Sequence, residues 1–196
     1  MGMNRYHQWL CGSELWAKDV RDKQIPWALE GAELGQDVLE IGPGYGATTR
    51  ALVDLVPNLT SVEIDEEMAR RLERLHGSRV RVLHGDGTAL PLPDEDFSAV
   101  VCFTMLHHVP TAALQDRLFA EACRVLRPGG VFTGSDGVHS LGFKLIHIGD
   151  TFNPVDPDTL PARLRDAGFD RVEMTVRPKE RMRFRAFKPS GEPAGR

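Results

Sequence analysis

From Asp37 onward, short apolar runs alternate with stretches of helical periodicity, the pattern of a sheet with helices on both faces. The apolar runs predict strands over Val38–Ile41, Leu59–Ile64, Val80–Leu83, Phe97–Phe103 and Val131–Gly134. Asp65 predicts a helix N-cap, with Glu66 and Glu67 in the positive first turn. Met68, Leu72 and Leu75 follow at helical spacing, Arg70, Arg71 and Arg74 lie toward the carboxyl end, and Gly77 closes the element. Thr111, just after Pro110, opens a second helix whose buried stripe is Leu114, Leu118, Ala122 and Val125. Arg127-Pro128-Gly129-Gly130 then turns the chain into the next strand.

The pattern changes in the last quarter. Asp158 and Pro161 fit the start of a short helix carrying Leu160, Leu164 and Ala167, closed by Gly168. Two strands follow with little between them, Phe169–Val176 and Arg181–Phe187. In the second, Arg181, Arg183 and Arg185 alternate with Met182, Phe184 and Ala186, the pattern of an antiparallel strand wet on one side. An α/β core over 37–188 is therefore expected to end in a hairpin. A helical segment (1–36) precedes it and a disordered tail (189–196) follows.

Composition adds bounds. One domain fits 196 residues, and 41% hydrophobic with 27% charged residues is ordinary for a globular chain. A net charge of -4 supplies no field to attract nucleic acid or an anionic membrane, and no apolar run is long enough to span a bilayer. Cys11, Cys102 and Cys123 form no Cys-x-x-Cys pair, so a reduced, cytoplasmic protein is expected. Oligomeric state is not legible.

The candidate chemistry begins at Glu40-Ile41-Gly42-Pro43-Gly44-Tyr45-Gly46-Ala47, where a strand runs through glycines into a helix. Without Cβ atoms the backbone turns sharply and a ligand can approach it closely. Gly42, Gly44 and Ala47 also fit the dinucleotide pattern, so a nicotinamide enzyme is the competing reading. Three features oppose it: Glu40 two residues before Gly42, the carboxyl-terminal hairpin, and Asp86 after the third strand. Glu40 can reach toward a methionine amine, directly or through water. Glu63, ending the second strand, can accept bonds from adjacent ribose hydroxyls, and Asp86, beside Gly87, can accept one from an adenine amino group. Acids at successive strand ends fall where open α/β sheets bind ligands.

These residues resemble the class I S-adenosylmethionine-dependent methyltransferases over roughly 37–188. Glu40 to Gly46 is similar to the family's first motif, Glu63 to its ribose acid and Asp86 to its adenine-contacting acid. Phe97 to Val109, with Thr104, is similar to the fourth strand and the loop beyond it, and Val125 to Gly130 to the turn into the fifth strand. The resemblance implies a Rossmann-like seven-stranded sheet in the order 3-2-1-4-5-7-6 with strand 7 antiparallel. It also implies S-adenosylmethionine as cofactor, S-adenosylhomocysteine as product, and a small-molecule acceptor. Enzymes that methylate exocyclic base nitrogens carry Asn/Asp-Pro-Pro-aromatic where this chain has Thr104-Met105-Leu106, a departure that disfavours a nucleic-acid substrate.

His107 and His108 lie beside the expected methyl position, where a neutral histidine can take a proton from an acceptor that arrives protonated. The alternative is that one of them only fixes the loop. No metal site is expected, because adjacent histidines point apart on an extended chain and no acid partner is evident. Tyr6, Trp9, Trp16 and Trp27, together with Phe143, Ile146, His147 and Phe152 of Gly137–Pro154, are expected either to form a lid over an apolar pocket or to pack on the sheet edge. The arginines of the last strand are expected to be its solvated face. Methyl transfer, another reaction on the same cofactor such as aminopropyl transfer, and cofactor binding without turnover all remain open.

Overall fold

The computed structural model describes residues 4–191. Its seven strands are β1 (Asp37–Ile41), β2 (Asn58–Glu63), β3 (Val80–His84), β4 (Phe97–Phe103), β5 (Leu126–Gly137), β6 (Arg171–Arg177) and β7 (Arg181–Phe187). They form one sheet in the order β3-β2-β1-β4-β5-β7-β6. The first five pair in parallel, whereas β7 runs antiparallel to both β5 and β6. The expected topology and hairpin are both present.

Strand parity divides the core. Leu39, Ile41, Val62, Val100, Cys102 and Phe132 face one side, where they meet Leu118, Phe119 and Ala122 of α6 (Ala112–Val125) and Leu160 and Leu164 of α8 (Leu160–Asp166). Val38, Leu59, Ala99, Val101 and Val131 face the other. There they meet Leu52 of α4 (Ala47–Leu52), Ile25 of α3 (Ile25–Ala28), and Val20 of a single π-helical turn (Val20–Gln24). Burial on both faces is what makes the central strands read as near-continuous apolar runs.

The remaining helices are α1 (Arg5–Cys11), α2 (Glu14–Asp19), α5 (Glu66–His76) and α7 (Leu141–Ile146). Asp65 caps α5 by accepting from the Met68 amide, and Thr111 caps α6 through the Leu114 amide. In the α5 stripe Leu72 is buried, but Leu75 is 58% exposed.

Two expectations need correction. The arginines of β7 are not a solvated face. Arg183 donates to the Trp27 carbonyl and to Glu30, Arg185 donates to the Glu30 carbonyl, and Trp27 stacks against Arg177 and Arg183. The amino-terminal segment covers that face, so these guanidinium groups are spent on carbonyls and an indole ring. The first residues of the expected disordered tail are also placed: Pro189 accepts from the Gly129 amide, while 192–196 lie outside the described residues.

Candidate active site

The carboxyl ends of β1, β2, β4 and β5 open onto one cavity of about 370 Å³. Its floor begins at the loop after β1. Gly44 has φ +54, and no atom lies within 4 Å of where its Cβ would stand, so a side chain there would project into open space. That vacancy lies against the cavity and leaves the loop backbone open to a bound molecule. Glu63 stands beside it, its Oε2 accepting from the Gly44 amide at 2.9 Å and its Oε1 from the Asp65 amide at 3.0 Å. An ionised carboxylate has about four lone-pair sites. The two amides fix this group in place and leave further acceptor capacity for ligand hydroxyls.

Thr104, at the end of β4, has φ +51, a conformation that costs a β-branched residue on the order of 1–3 kcal/mol. The strain is held by its amide donating to the Ser135 carbonyl at 2.8 Å, and the residue lines the cavity midway along.

At the far end the chain makes a 3-10 turn, Leu106–His108. His107 Nδ1 lies 2.5 Å from Oδ1 of Asp136, which sits near the end of β5 and is itself buried. The other oxygen of Asp136 accepts from the His107 amide at 3.1 Å. His147, which follows α7, places its Nδ1 2.7 Å from the Phe143 carbonyl and its Nε2 3.1 Å from His107 Nε2. His108 completes the group, its ring centroid 4.1 Å from that of His107. Phe143 and Phe152 pack around these rings, with centroids 4.9 and 6.5 Å from that of His107.

A methyltransferase domain model matches residues 39–133, which hold both the glycine loop and the turn carrying His107. A probable S-adenosylmethionine-dependent methyltransferase of Mycolicibacterium smegmatis is 37% identical over 98 residues, which are 50% of this chain and 37% of that protein. Residues 39–133 thus match a methyltransferase domain, and the chain is similar to S-adenosylmethionine-dependent methyltransferases.

Other methyltransferases are similar over comparable lengths. A demethylmenaquinone methyltransferase of Tropheryma whipplei is 32% identical over 117 residues, 58% of this chain and 46% of its own. A ribosomal RNA small subunit methyltransferase A of Chlorobaculum parvum is 33% identical over 101 residues, 50% of this chain and 36% of its own. The chain thus spans less than half the length of the curated relatives it matches. A solved protein of Pyrococcus horikoshii shares the fold at a TM-score of 0.80 and 16% identity, covering 95% of this chain and all of its own.

Of the expected cofactor residues, Gly42, Gly44, Glu63 and Thr104 line the cavity, as do His107 and His108. Glu40, Gly46, Asp86 and Gly87 do not line it. Glu40 is 1% exposed and faces away from the cavity, its carboxylate accepting from Thr48, Thr49 and Ser61 hydroxyls. It braces the junction of β1, β2 and α4. Gly46 begins α4 at φ +83, and a Cβ there would come within 2.6 Å of Leu72, so its role is packing. Asp86 is exposed and accepts from the Thr88 amide at 2.8 Å, closing its own turn, while Gly87 lies against Ile41.

Burial pushes the Glu40 carboxyl above its ordinary value of 4.5, although three hydroxyl donors pull the other way. A carboxyl raised in the folded state binds its proton more tightly there than in the unfolded chain, so stability falls as pH climbs from about 4.5 through the folded value. Glu40→Gln removes that dependence. Thermal melts of the two proteins at rising pH should show the stability of the natural chain relative to the variant declining upward from pH 4.5. A difference that stays flat would mean that Glu40 titrates normally.

Sequence reasoning missed Asp136 and placed His147 only in a lid. Asp136 lies 29 residues beyond His107, near the end of the next strand, and no local spacing connects them. The assumption that the histidines splay on an extended chain also fails: the 3-10 turn brings their rings together, and Asp136 is the acid partner. Among the expected lid aromatics, Trp16, Phe143, Ile146 and His147 line the cavity, Trp9 is 66% exposed, and Trp27 packs on β7 instead. The Tyr6 side chain lies outside what the structure describes. Cys11 also lines the cavity, but burial and the nearby Asp150 hold its thiol protonated up to about 11. It is a packing group rather than a nucleophile.

Proposed function

We propose that this chain transfers the methyl group of S-adenosylmethionine to a small molecule with an apolar body. The supporting observation is that a single cavity joins the open backbone at Gly44 and the carboxylate of Glu63 to an aromatic and imidazole wall at its other end. When bound, the cofactor supplies its own sulfonium leaving group, so the chain's task is alignment and exclusion of water. Glu63 is suited to accept two ribose hydroxyls, and the loop from Gly42 to Gly44 to lie along the methionine portion. Thr104, strained and tied to β5, would set the depth at which the methyl carbon sits.

The acceptor enters the end formed by His107, His108 and Phe143. The bond to Asp136 fixes the tautomer of His107 with Nδ1–H toward the carboxylate. That directs Nε2 toward Nε2 of His147 at 3.1 Å, so the two rings together form the imidazole wall that faces the acceptor. The amino-terminal helices and the stretch 137–154 serve as a lid in this reading. They are joined where the Asn4 side chain donates to the Ile146 carbonyl at 2.9 Å and to that of Ile148 at 3.2 Å. An acceptor held beneath such a cover is small, in line with the quinone named for one relative and unlike the ribosomal RNA named for another.

The test is incubation with labelled S-adenosylmethionine and a panel of quinols, phenols, amines and a structured RNA, read by product mass. A gain of one methyl group on a small acceptor is the expected result. Methylation of the RNA alone would reverse the acceptor reading, and an aminopropyl adduct would reverse the reaction. Binding of NAD in place of S-adenosylmethionine would return the chain to the nicotinamide reading.

A further inference from the structure

We propose that His107, His108 and His147 form a binding site for a divalent transition-metal ion, with zinc as the best fit, at the acceptor end of the cavity. The argument starts from hydrogen-bond roles. A carbonyl oxygen can only accept, so the 2.7 Å contact between His147 Nδ1 and the Phe143 carbonyl puts the proton on Nδ1. The carboxylate of Asp136, which takes two backbone amides besides, likewise draws a proton onto His107 Nδ1. Both rings in their neutral form therefore carry an unprotonated Nε2.

Those two nitrogens face each other at 3.1 Å. Two acceptors at that distance repel unless something positive stands between them. Nitrogens bonded at about 2.0–2.1 Å to one tetrahedral ion are about 3.3–3.4 Å apart, close to the separation seen. His108 contributes the third ligand atom, all three lying within 4.8 Å of one another, so a small rotation of one ring closes the set. Imidazole donors suit zinc, copper, iron and nickel rather than magnesium or calcium.

Its surroundings complete the case. A ligating histidine usually donates its second ring nitrogen to a carboxylate or backbone carbonyl, which orients the ring and raises its basicity. Asp136 does this for His107 and the Phe143 carbonyl does it for His147. Three protein ligands leave a fourth position open. That position faces the cavity, where a hydroxyl of the acceptor could occupy it, a role that rests on the methyl-transfer reading. Metal binding itself does not rest on it.

The full chain, stripped with a chelator, is titrated with zinc by calorimetry and with cobalt by visible absorption. One zinc per chain and the visible bands of a tetrahedral cobalt site are expected. His147→Ala should weaken zinc at least a hundredfold and abolish the cobalt bands, and Asp136→Asn should weaken zinc about tenfold. The exposed His84→Ala serves as the control and should change neither. Circular dichroism confirms that each variant is folded, and His108→Ala stands in for any that is not. Absence of stoichiometric zinc binding, or affinity indifferent to His147 and His108, overturns the site and leaves a shared proton between the two Nε2 atoms. Titration of the same stripped protein with S-adenosylmethionine separates the two ideas. Zinc bound without cofactor binding would end the methyl-transfer reading alone.

Discussion

Replacing Glu63 by alanine is expected to weaken S-adenosylmethionine and S-adenosylhomocysteine by about 10–150-fold in a calorimetric titration. The range corresponds to one charge-assisted hydrogen bond of about 1.5–3 kcal/mol. The lower end applies if water replaces the carboxylate, and the upper end if both ribose hydroxyls lose a fixed partner. Part of the loss would be indirect, because the same carboxylate anchors the amides of Gly44 and Asp65. Glu63→Gln separates the parts: it keeps an acceptor for one amide but loses the charge, and should fall between the two proteins. Unchanged affinity in the alanine variant would mean that the cofactor does not lie against β2.

The second large effect concerns the fold. Phe132, in the middle of β5, is fully buried, with ring centroids of Phe184, Phe169 and Phe119 at 5.0, 5.8 and 6.1 Å. It joins the hairpin to the parallel part of the sheet and to α6. Phe132→Ala should destabilise by about 3–5 kcal/mol, from lost transfer energy and an unfilled cavity. For a chain of this size that lowers the melting temperature by very roughly 6–20 °C. Since the residue is remote from the cavity wall, cofactor affinity measured well below the melt should hold. A melt that barely moved would show that this aromatic cluster can collapse around the void.

The same sheet explains why the fold was legible. β1, β4 and β5 are buried on both faces, so their apolar runs carry no ambiguity of side, and the caps at Asp65 and Thr111 are local signals that act where they stand. The glycine loop and Glu63 were equally legible, because a strand-turn-helix and the acid ending the next strand have fixed spacing. What was illegible depends on contacts between distant segments. Glu40 turns inward because Thr48, Thr49 and Ser61 place three hydroxyls around it, and no spacing rule distinguishes that from a ligand contact. Asp86 is needed to close its own turn. The link from Asp136 to His107 crosses from β5 to the turn after β4, and that from His147 to His107 spans 40 residues. The arginines of β7 alternate as solvated side chains do, yet the Trp27–Glu30 segment lies over them.

That last contact bears on how the molecule is made. The Arg183 guanidinium reaches Trp27 and Glu30 across separations of 156 and 153 residues, so the Trp27–Glu30 segment gains these contacts only once β7 has been synthesised. Until then the Trp27 ring lacks the guanidinium groups of Arg177 and Arg183, although Ile25 can already pack against Val38, Leu52 and Ala99. Closing so long a loop is slow, because its entropy must be met before the contact can form. The cavity wall likewise joins Trp16 to Glu180 and Arg181, so it is complete only after β7 has entered the sheet, and the cofactor cannot meet a finished site before then.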